Sequence, residues 1–199
     1  MPKLDYNRKM PRLDMNPMVD MAFLLVTFFM LTTQFKMDEP VEVSTPASHS
    51  EIKLPETDLM TIYVSDEGEV FFSVVDQLDR VNLLRRVASR HELEFSAEET
   101  QAFKVTSGFG LPMNELGAFL SLPVRERKAF DQPGIPFDST QNELLEWVVM
   151  ARATNPRIRV AIKGDREAPY AVVKRLIKLL VDNKITRFNL ITDLERDAV

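Results

Sequence analysis

Residues 16–35 read Asn16-Pro-Met-Val-Asp-Met-Ala-Phe-Leu-Leu-Val-Thr-Phe-Phe-Met-Leu-Thr-Thr-Gln-Phe35. The stretch is apolar almost throughout, and its one charged side chain is Asp20. A run of about 18 or more mostly apolar residues is long enough to cross a bilayer as a helix. The stretch therefore predicts a transmembrane helix over residues 17–35, and its carboxylate is the first candidate functional group.

The start of this stretch has the features of a helix N-terminus. Asn16 is a good N-cap, and Pro17 suits the first helical position because that position needs no backbone N–H. With about 3.6 residues per turn, Asp20 and Thr27 fall on the same face of the helix. We therefore expect the two polar groups of the inner span to point the same way.

Two other interpretations fit a basic start followed by an apolar run. A cleaved signal peptide needs small residues before its cleavage site, whereas this run ends in Leu31-Thr-Thr-Gln-Phe35. A buried helix of a soluble domain is the other alternative. Lys and Arg outnumber acidic residues in 1–16, and positive flanks stay in the cytoplasm. We expect 1–16 to be a cytoplasmic tail of a single-pass protein of the bacterial inner membrane, with the remainder in the periplasm.

Asp20 has a functional and a structural interpretation. A carboxylate at mid-span costs about 2.5–3.5 kcal/mol, so such residues usually face protein or water and serve a function. Asp20 lies close to the helix start, where that cost is smaller. In the first turn it could instead be a cap, stabilised by the helix macrodipole by about 0.3–1 kcal/mol. The residues alone leave both interpretations open.

The remaining composition excludes several function classes. The net charge of −5 argues against a nucleic-acid-binding protein, which usually has a basic face. The absence of cysteine excludes disulfides, thiolate metal sites and thiol catalysis. The chain's two histidines, His49 and His91, lie far apart, and Lys163-Gly-Asp165 lacks the upstream glycine of a phosphate loop. We therefore expect no enzyme activity, no metal and no cofactor.

The chain beyond the apolar run divides into a linker and a domain. Residues 36–57 contain three prolines and no helical period, which predicts a flexible periplasmic linker. Residues 58–199 predict an α+β domain of order β-β-α-β-α-β, a small mixed sheet with two helices packed on it. Asp66-Glu-Gly68 is the expected hairpin turn between the first two strands. Short helix signals in residues 76–138 predict a helical insertion.

The last third of the domain has the clearest periodicity. A helix capped by Ser139 or Thr140 is expected to run to Ala153, and a second helix from Pro169 to Asn183, with Asn183 in the left-handed conformation. Strand–helix–strand order implies a right-handed crossover and a parallel strand pair. The apolar stripe expected on the first helix consists of Leu144, Leu145, Val148 and Val149, and the last strand is Phe188 to Ile191.

Several segments together resemble one family. Asp14-Met-Asn-Pro-Met-Val-Asp20-Met-Ala-Phe-Leu-Leu25 is similar to the start of the ExbD/TolR family, which has a short cytoplasmic tail, one helix with a single aspartate and a periplasmic domain. Ile158 to Asp165, Pro169-Tyr170 and Arg187 to Thr192 resemble that family's later strands and helix start, and Leu54-Pro55 resembles a pair before its folded domain. Residues 76–138 depart from the compact family pattern.

The resemblance implies a function. Two copies of such a subunit, a homodimer, lie within a pentamer of an ExbB- or TolQ-like partner, and the aspartate, here Asp20, takes up and releases protons. Thr27 is a candidate member of this path, and Asn16 and Pro17 form the helix-start motif. The periplasmic domains act on a TonB- or TolA-like transducer. The expected protein couples the proton motive force to TonB-dependent outer-membrane transport.

Contacts with partners are expected from both the linker and the domain. The candidate contact residues are Ile52, Leu54, Pro55, Pro169 and Tyr170. The alternative function is a membrane-anchored periplasmic binding module for cell wall or an envelope partner, with a Tol-Pal-like role and no ion conduction. A basic helix face would then contact an anionic polymer such as peptidoglycan; its residues are Lys174, Arg175 and Lys178.

Overall fold

The computed structural model describes residues 15–33, 39–45, 47–48, 57–127, 129–138, 142–191 and 193–194. Internal contacts divide the chain into two units, Met1–Met37 and Asp38–Val199. The first unit contains helix α1, Met15–Thr32. The second contains strands β1 (Ala47–Ser48), β2 (Leu59–Val64), β3 (Val70–Val74), β4 (Arg159–Gly164), β5 (Phe188–Ile191) and β6 (Asp193–Leu194), and helices α2 (Gln77–His91), α3 (Ala97–Val105), α4 (Met113–Ser121), α5 (Val124–Arg127), α6 (Glu143–Thr154) and α7 (Tyr170–Asp182).

Helix α1 begins and ends slightly earlier than the sequence predicts. Because it starts at Met15, Asn16 and Pro17 lie in its first turn rather than at the N-cap and first helical positions. At the other end, the Thr32 hydroxyl donates to the Phe28 carbonyl and the Thr33 hydroxyl to the Phe29 carbonyl. The Phe29 carbonyl also accepts the backbone N–H of Thr33, so its hydroxyl bond is a second one at the end of the helix.

The domain is built on a four-stranded mixed sheet of order β3-β2-β4-β5. Strands β2 and β3 form the predicted antiparallel hairpin, in which Gly68 adopts the positive φ of 89° that the turn requires. Strand β4 pairs in parallel with both β2 and β5, which confirms the predicted parallel pair. The sequence did not predict a further two-residue parallel pair between β1 and β6.

The helices of the insertion belong to the same core as the sheet. An aromatic cluster joins Phe72 of β3, Phe103 of α3, Phe109 and Trp147 of α6, with ring centroids 4.9–6.3 Å apart. Trp147 and Phe72 are completely buried. Residues 76–138 therefore contain the predicted helices, α2 to α5, and the buried apolar side chains of α2, α3 and α4 belong to the same core as the sheet.

Two details of the last third differ from the prediction. On α6 the buried stripe is Leu144, Trp147, Val148 and Ala151, at helical spacing, whereas Val149 lies to one side and is 45% exposed. The N-cap of α6 is Asn142; Ser139 and Thr140 lie outside the described residues.

After α7, Asn183 has a φ of −94°, and Lys184 takes the left-handed conformation with a φ of 61°. The chain thus reverses one residue later than the sequence predicts. Strand β5, in contrast, has the bounds that were expected, Phe188–Ile191.

Candidate functional site

The candidate site in the first unit is one face of α1. Asp20 is exposed and Thr27 half-buried, and seven residues separate them, which is two turns or about 10 Å along the axis. The Thr27 hydroxyl donates to the carbonyls of Phe23 and Leu24, each at 2.9 Å. Its proton is therefore engaged within the helix, and its oxygen remains available as an acceptor. A proton moving between Asp20 and Thr27 needs a water molecule or a partner group between them.

The surroundings of Asp20 on this helix are apolar and uncovered. No residue of α1 is buried within its unit, and its large apolar side chains are 53–86% exposed. In the described part of the chain, α1 is the one helix long and apolar enough to cross a membrane. Such a helix needs lipid or other helices around it, because exposed apolar surface of this extent is unstable in water. Those exposed side chains are Met15, Met18, Val19, Met21, Phe23, Leu24, Leu25, Val26, Phe28, Phe29, Met30 and Leu31.

In the second unit, residues 39–45, which we call the strap, lie against the domain. The Glu39 carboxylate forms an ion pair with the Lys163 ammonium at 2.6 Å, and both side chains are largely shielded from solvent, at 28% and 15% exposure. The Lys163 ammonium also lies 5.9 Å from the centre of the Tyr63 ring. Burial, together with the charge of Glu39, raises the pKa of Tyr63 to about 12.

The other end of the strap is held at the end of β4. The Ser44 N–H donates to the Asp165 carboxylate at 2.8 Å, and the Arg166 N–H donates to the Ser44 carbonyl at 2.8 Å. Hydrogen bonds from the backbone N–H groups of Glu167 and Ser44 lower the pKa of Asp165. Between these ends Pro40 lies on Gly108, where a Cβ atom would come within 2.7 Å of the Pro40 ring.

Every residue of β2 is buried, so both faces of this strand are covered. Met60, Ile62 and Val64 on one face belong to the core that the helices cover, and Tyr63 on the other face lies beside the Glu39–Lys163 ion pair. Residues 39–45 thus have fixed contacts within a segment for which the sequence predicts a flexible linker. Sequence reasoning did not connect Glu39 with Lys163, because 124 positions separate them.

The structure also places the predicted partner-contact residues. Ile52, Leu54 and Pro55 lie outside the described residues. Pro169 precedes α7, and Tyr170, its first residue, is 75% exposed and free to meet a partner.

The basic face of α7 is smaller than the sequence suggests. Arg175 pairs with Asp138 at 2.7 Å, and its guanidinium lies 4.9 Å from the centre of the Phe137 ring. Lys174 and Lys178 are exposed and, within the described part of the chain, have no ion pair. Two charges rather than three are therefore available to an anionic ligand.

A family model described as Biopolymer transport protein ExbD/TolR matches residues 6–195. The chain belongs to the ExbD/TolR family. The comparisons with curated proteins and with solved structures gave no match. The ExbD/TolR match includes α1, the whole described sheet and the insertion, and it confirms the predicted fold class. Membership makes this a transport-associated protein anchored by an N-terminal helix, and it suggests partners of the ExbB or TolQ and the TonB or TolA types.

Proposed function

We propose that the chain is the ion-conducting subunit of an inner-membrane motor that couples the proton motive force to TonB-dependent outer-membrane transport, with Asp20 as the proton carrier. The observation that carries the proposal is that Asp20 is the one ionisable side chain of α1. Placing an ionisable group in a membrane helix costs free energy. That free-energy cost is offset where the carboxylate faces a partner and exchanges protons. Thr27, on the same face, accepts a hydrogen bond along the path.

The proposed assembly follows from the surface of α1. Its apolar side chains are exposed around the whole helix, which suits a helix enclosed by other helices and lipid. In the proposed complex two copies of the chain lie within an ExbB- or TolQ-like pentamer. The tail 1–16 is cytoplasmic, because of its excess of Lys and Arg, and the domain is periplasmic, where it engages a TonB-like transducer.

In this mechanism the strap is released when the domain engages its partner. Release breaks the Glu39–Lys163 ion pair and the two hydrogen bonds at Ser44. Such contacts contribute about 0.5–1.5 kcal/mol each. One proton crossing about 100 mV delivers about 2.3 kcal/mol, so one or two protons are enough to release the strap. The freed residues then act as the mobile linker that the sequence predicts, with strand-like segments that can pair with a partner's sheet edge.

The decisive test is Asp20→Asn in the full chain, expressed in a strain lacking the native copy. Asparagine keeps the shape of the side chain but cannot carry a proton. We expect energy-dependent uptake through the outer membrane to be lost, while co-purification with the five-copy partner is retained. Thr27→Val should lower uptake without abolishing it. Full uptake by the Asp20→Asn variant would refute the proposal.

The second candidate function is a membrane-anchored periplasmic module that binds the cell wall and does not conduct ions. The observation that favours it is the exposed pair Lys174 and Lys178 beside Tyr170 on α7. Expression of residues 38–199 as a soluble periplasmic fragment separates the two functions. Complementation of a deletion strain by this fragment supports the binding module, because the fragment has no membrane helix.

A further inference from the structure

The insertion contains a groove between α2 and α3 that the proposed function does not use. It consists of two adjoining cavities of about 430 and 590 Å³ that share Arg85, Phe95 and Thr100 in their walls. Its floor includes Val81, Leu84 and Leu93, and Leu78 at one end is 69% exposed. We call it the α2–α3 groove.

The shape of the groove suits a helix. On α2 its wall is the stripe Leu78, Asn82, Arg85 and Ser89, at helical spacing, and Glu92 follows the end of the helix. From Leu78 to Ser89 the stripe is about 17 Å long, which equals about three turns of helix. Amphipathic helices bind in grooves of this kind through apolar side chains on one face.

The charges of the groove are separated along its length. The cavity at the Leu78 end is lined by Lys104 and by no acidic residue, Arg85 stands where the two cavities adjoin, and the other cavity ends at Glu92 and Glu94. Across the described residues, none of these four side chains takes part in an ion pair. A ligand that complements the groove therefore has acidic groups at one end and basic groups at the other.

We propose that the α2–α3 groove binds an amphipathic helix of a second envelope protein, acidic in its first turn and basic in its last. The acidic turn meets Lys104 and, toward the middle of the groove, Arg85, and the basic turn meets Glu92 and Glu94. Acidic groups at the start and basic groups at the end also stabilise a helix through its macrodipole. Because the acidic turn lies at the Leu78 end of the groove, where α2 begins, the bound helix lies parallel to α2. The site extends beyond the proposed motor function, because it requires neither Asp20 nor the strap.

The test is photo-crosslinking of the full chain in its native host, with p-benzoylphenylalanine in place of Asn82. Asn82 is exposed and lines the groove. The double variant Arg85→Glu, Lys104→Glu reverses the basic end. The matched control, Arg86→Glu with Arg125→Glu, changes net charge equally at exposed positions that do not line the groove. Fluorescence of Trp147, the chain's one tryptophan, checks that each variant is folded.

We expect one crosslinked product, whose yield falls about ten-fold or more in the groove variant and stays unchanged in the control. Mass spectrometry should map the crosslink to a helical segment with Asp or Glu at its start and Lys or Arg at its end. If the double variant does not fold, Arg85→Glu alone is used. The proposal is overturned if Asn82 gives no product, if the product persists in the groove variant, or if it is a second copy of this chain. Asp20→Asn should leave the crosslink intact, so failure here is distinct from failure of the motor function.

Discussion

Replacement of Arg80 should destabilise the folded domain most, and it leaves α1 unchanged. Its side chain is 4% exposed and donates hydrogen bonds to four backbone carbonyls. Two, Val74 and Val75, belong to the end of β3; the other two, Lys104 and Thr106, belong to the end of α3. Burial lowers the pKa of Arg80, and the charge of Asp76 partly opposes this. One guanidinium therefore joins the insertion to the sheet.

The expected loss of stability follows from the backbone carbonyls that Arg80→Met leaves without a donor. Methionine preserves most of the apolar stem but leaves four carbonyls without their donor. Hydrogen bonds to charged groups contribute about 1.5–3 kcal/mol each, while removal of a buried charge recovers part of its desolvation cost. The net loss of stability should be about 3–5 kcal/mol. For a domain of this size that corresponds to a Tm lower by about 6–20 °C.

The assay is urea and thermal unfolding followed by the fluorescence of Trp147, which lies in the aromatic cluster and reports on this domain alone. Arg86→Met is the matched control, since Arg86 is on the same helix but exposed. Its Tm should change by no more than about 2 °C. If Arg80→Met were as stable as the control, the four carbonyls would have to find other donors, and the role given to Arg80 would be wrong.

Two further predictions concern the strap. Lys163→Met, which removes the partner of Glu39, should raise the amide exchange rate of residues 41–45 about three- to ten-fold, whereas Lys174→Met should not change it; equal exchange in both variants would contradict the contact. The strap should also loosen in acid. Because the pKa of Asp165 is lowered in the folded protein, its stabilising effect is complete above the unfolded value of about 3.9 and is lost as pH falls through the lower folded value. The exchange rate of the Ser44 amide, divided by its intrinsic rate at each pH, should therefore rise in that range, and Asp165→Asn should remove this pH dependence; an unchanged profile in that variant would exclude Asp165 as its source.

Local sequence signals predicted the elements of this fold well. The turn at Gly68 depends on a few neighbouring residues and forms as expected. The capping box of Ser96 and Glu99 is likewise set by residues close in sequence. Val149 was misplaced because hydrophobicity alone was counted; Trp147, at the correct angle on the helix, is the residue that enters the core. Local periodicity thus located the helix but did not choose between its apolar neighbours.

What the sequence could not predict are contacts between distant positions. Glu39 and Lys163, or Arg80 and Thr106, carry no pattern that links them, since each pair meets only after the sheet has formed. The α2–α3 groove could not be predicted for the same reason, because the sequence of each helix that lines it indicates only an ordinary polar helix face. Asp20 differs from these contacts, because the residues alone left its role open and the resemblance to the family supplied the functional interpretation, which stays a prediction.

In the proposed motor mechanism, a pull from α1 acts on the strap contacts in their order along the chain. It reaches Glu39 first, then Pro40 and then Ser44, and we expect these contacts to break in that order. Each step then opposes the pull with about 0.5–1.5 kcal/mol, well below the energy of one proton crossing about 100 mV. Arg80 and the aromatic cluster lie off this path, and they should keep the domain folded while the strap is released.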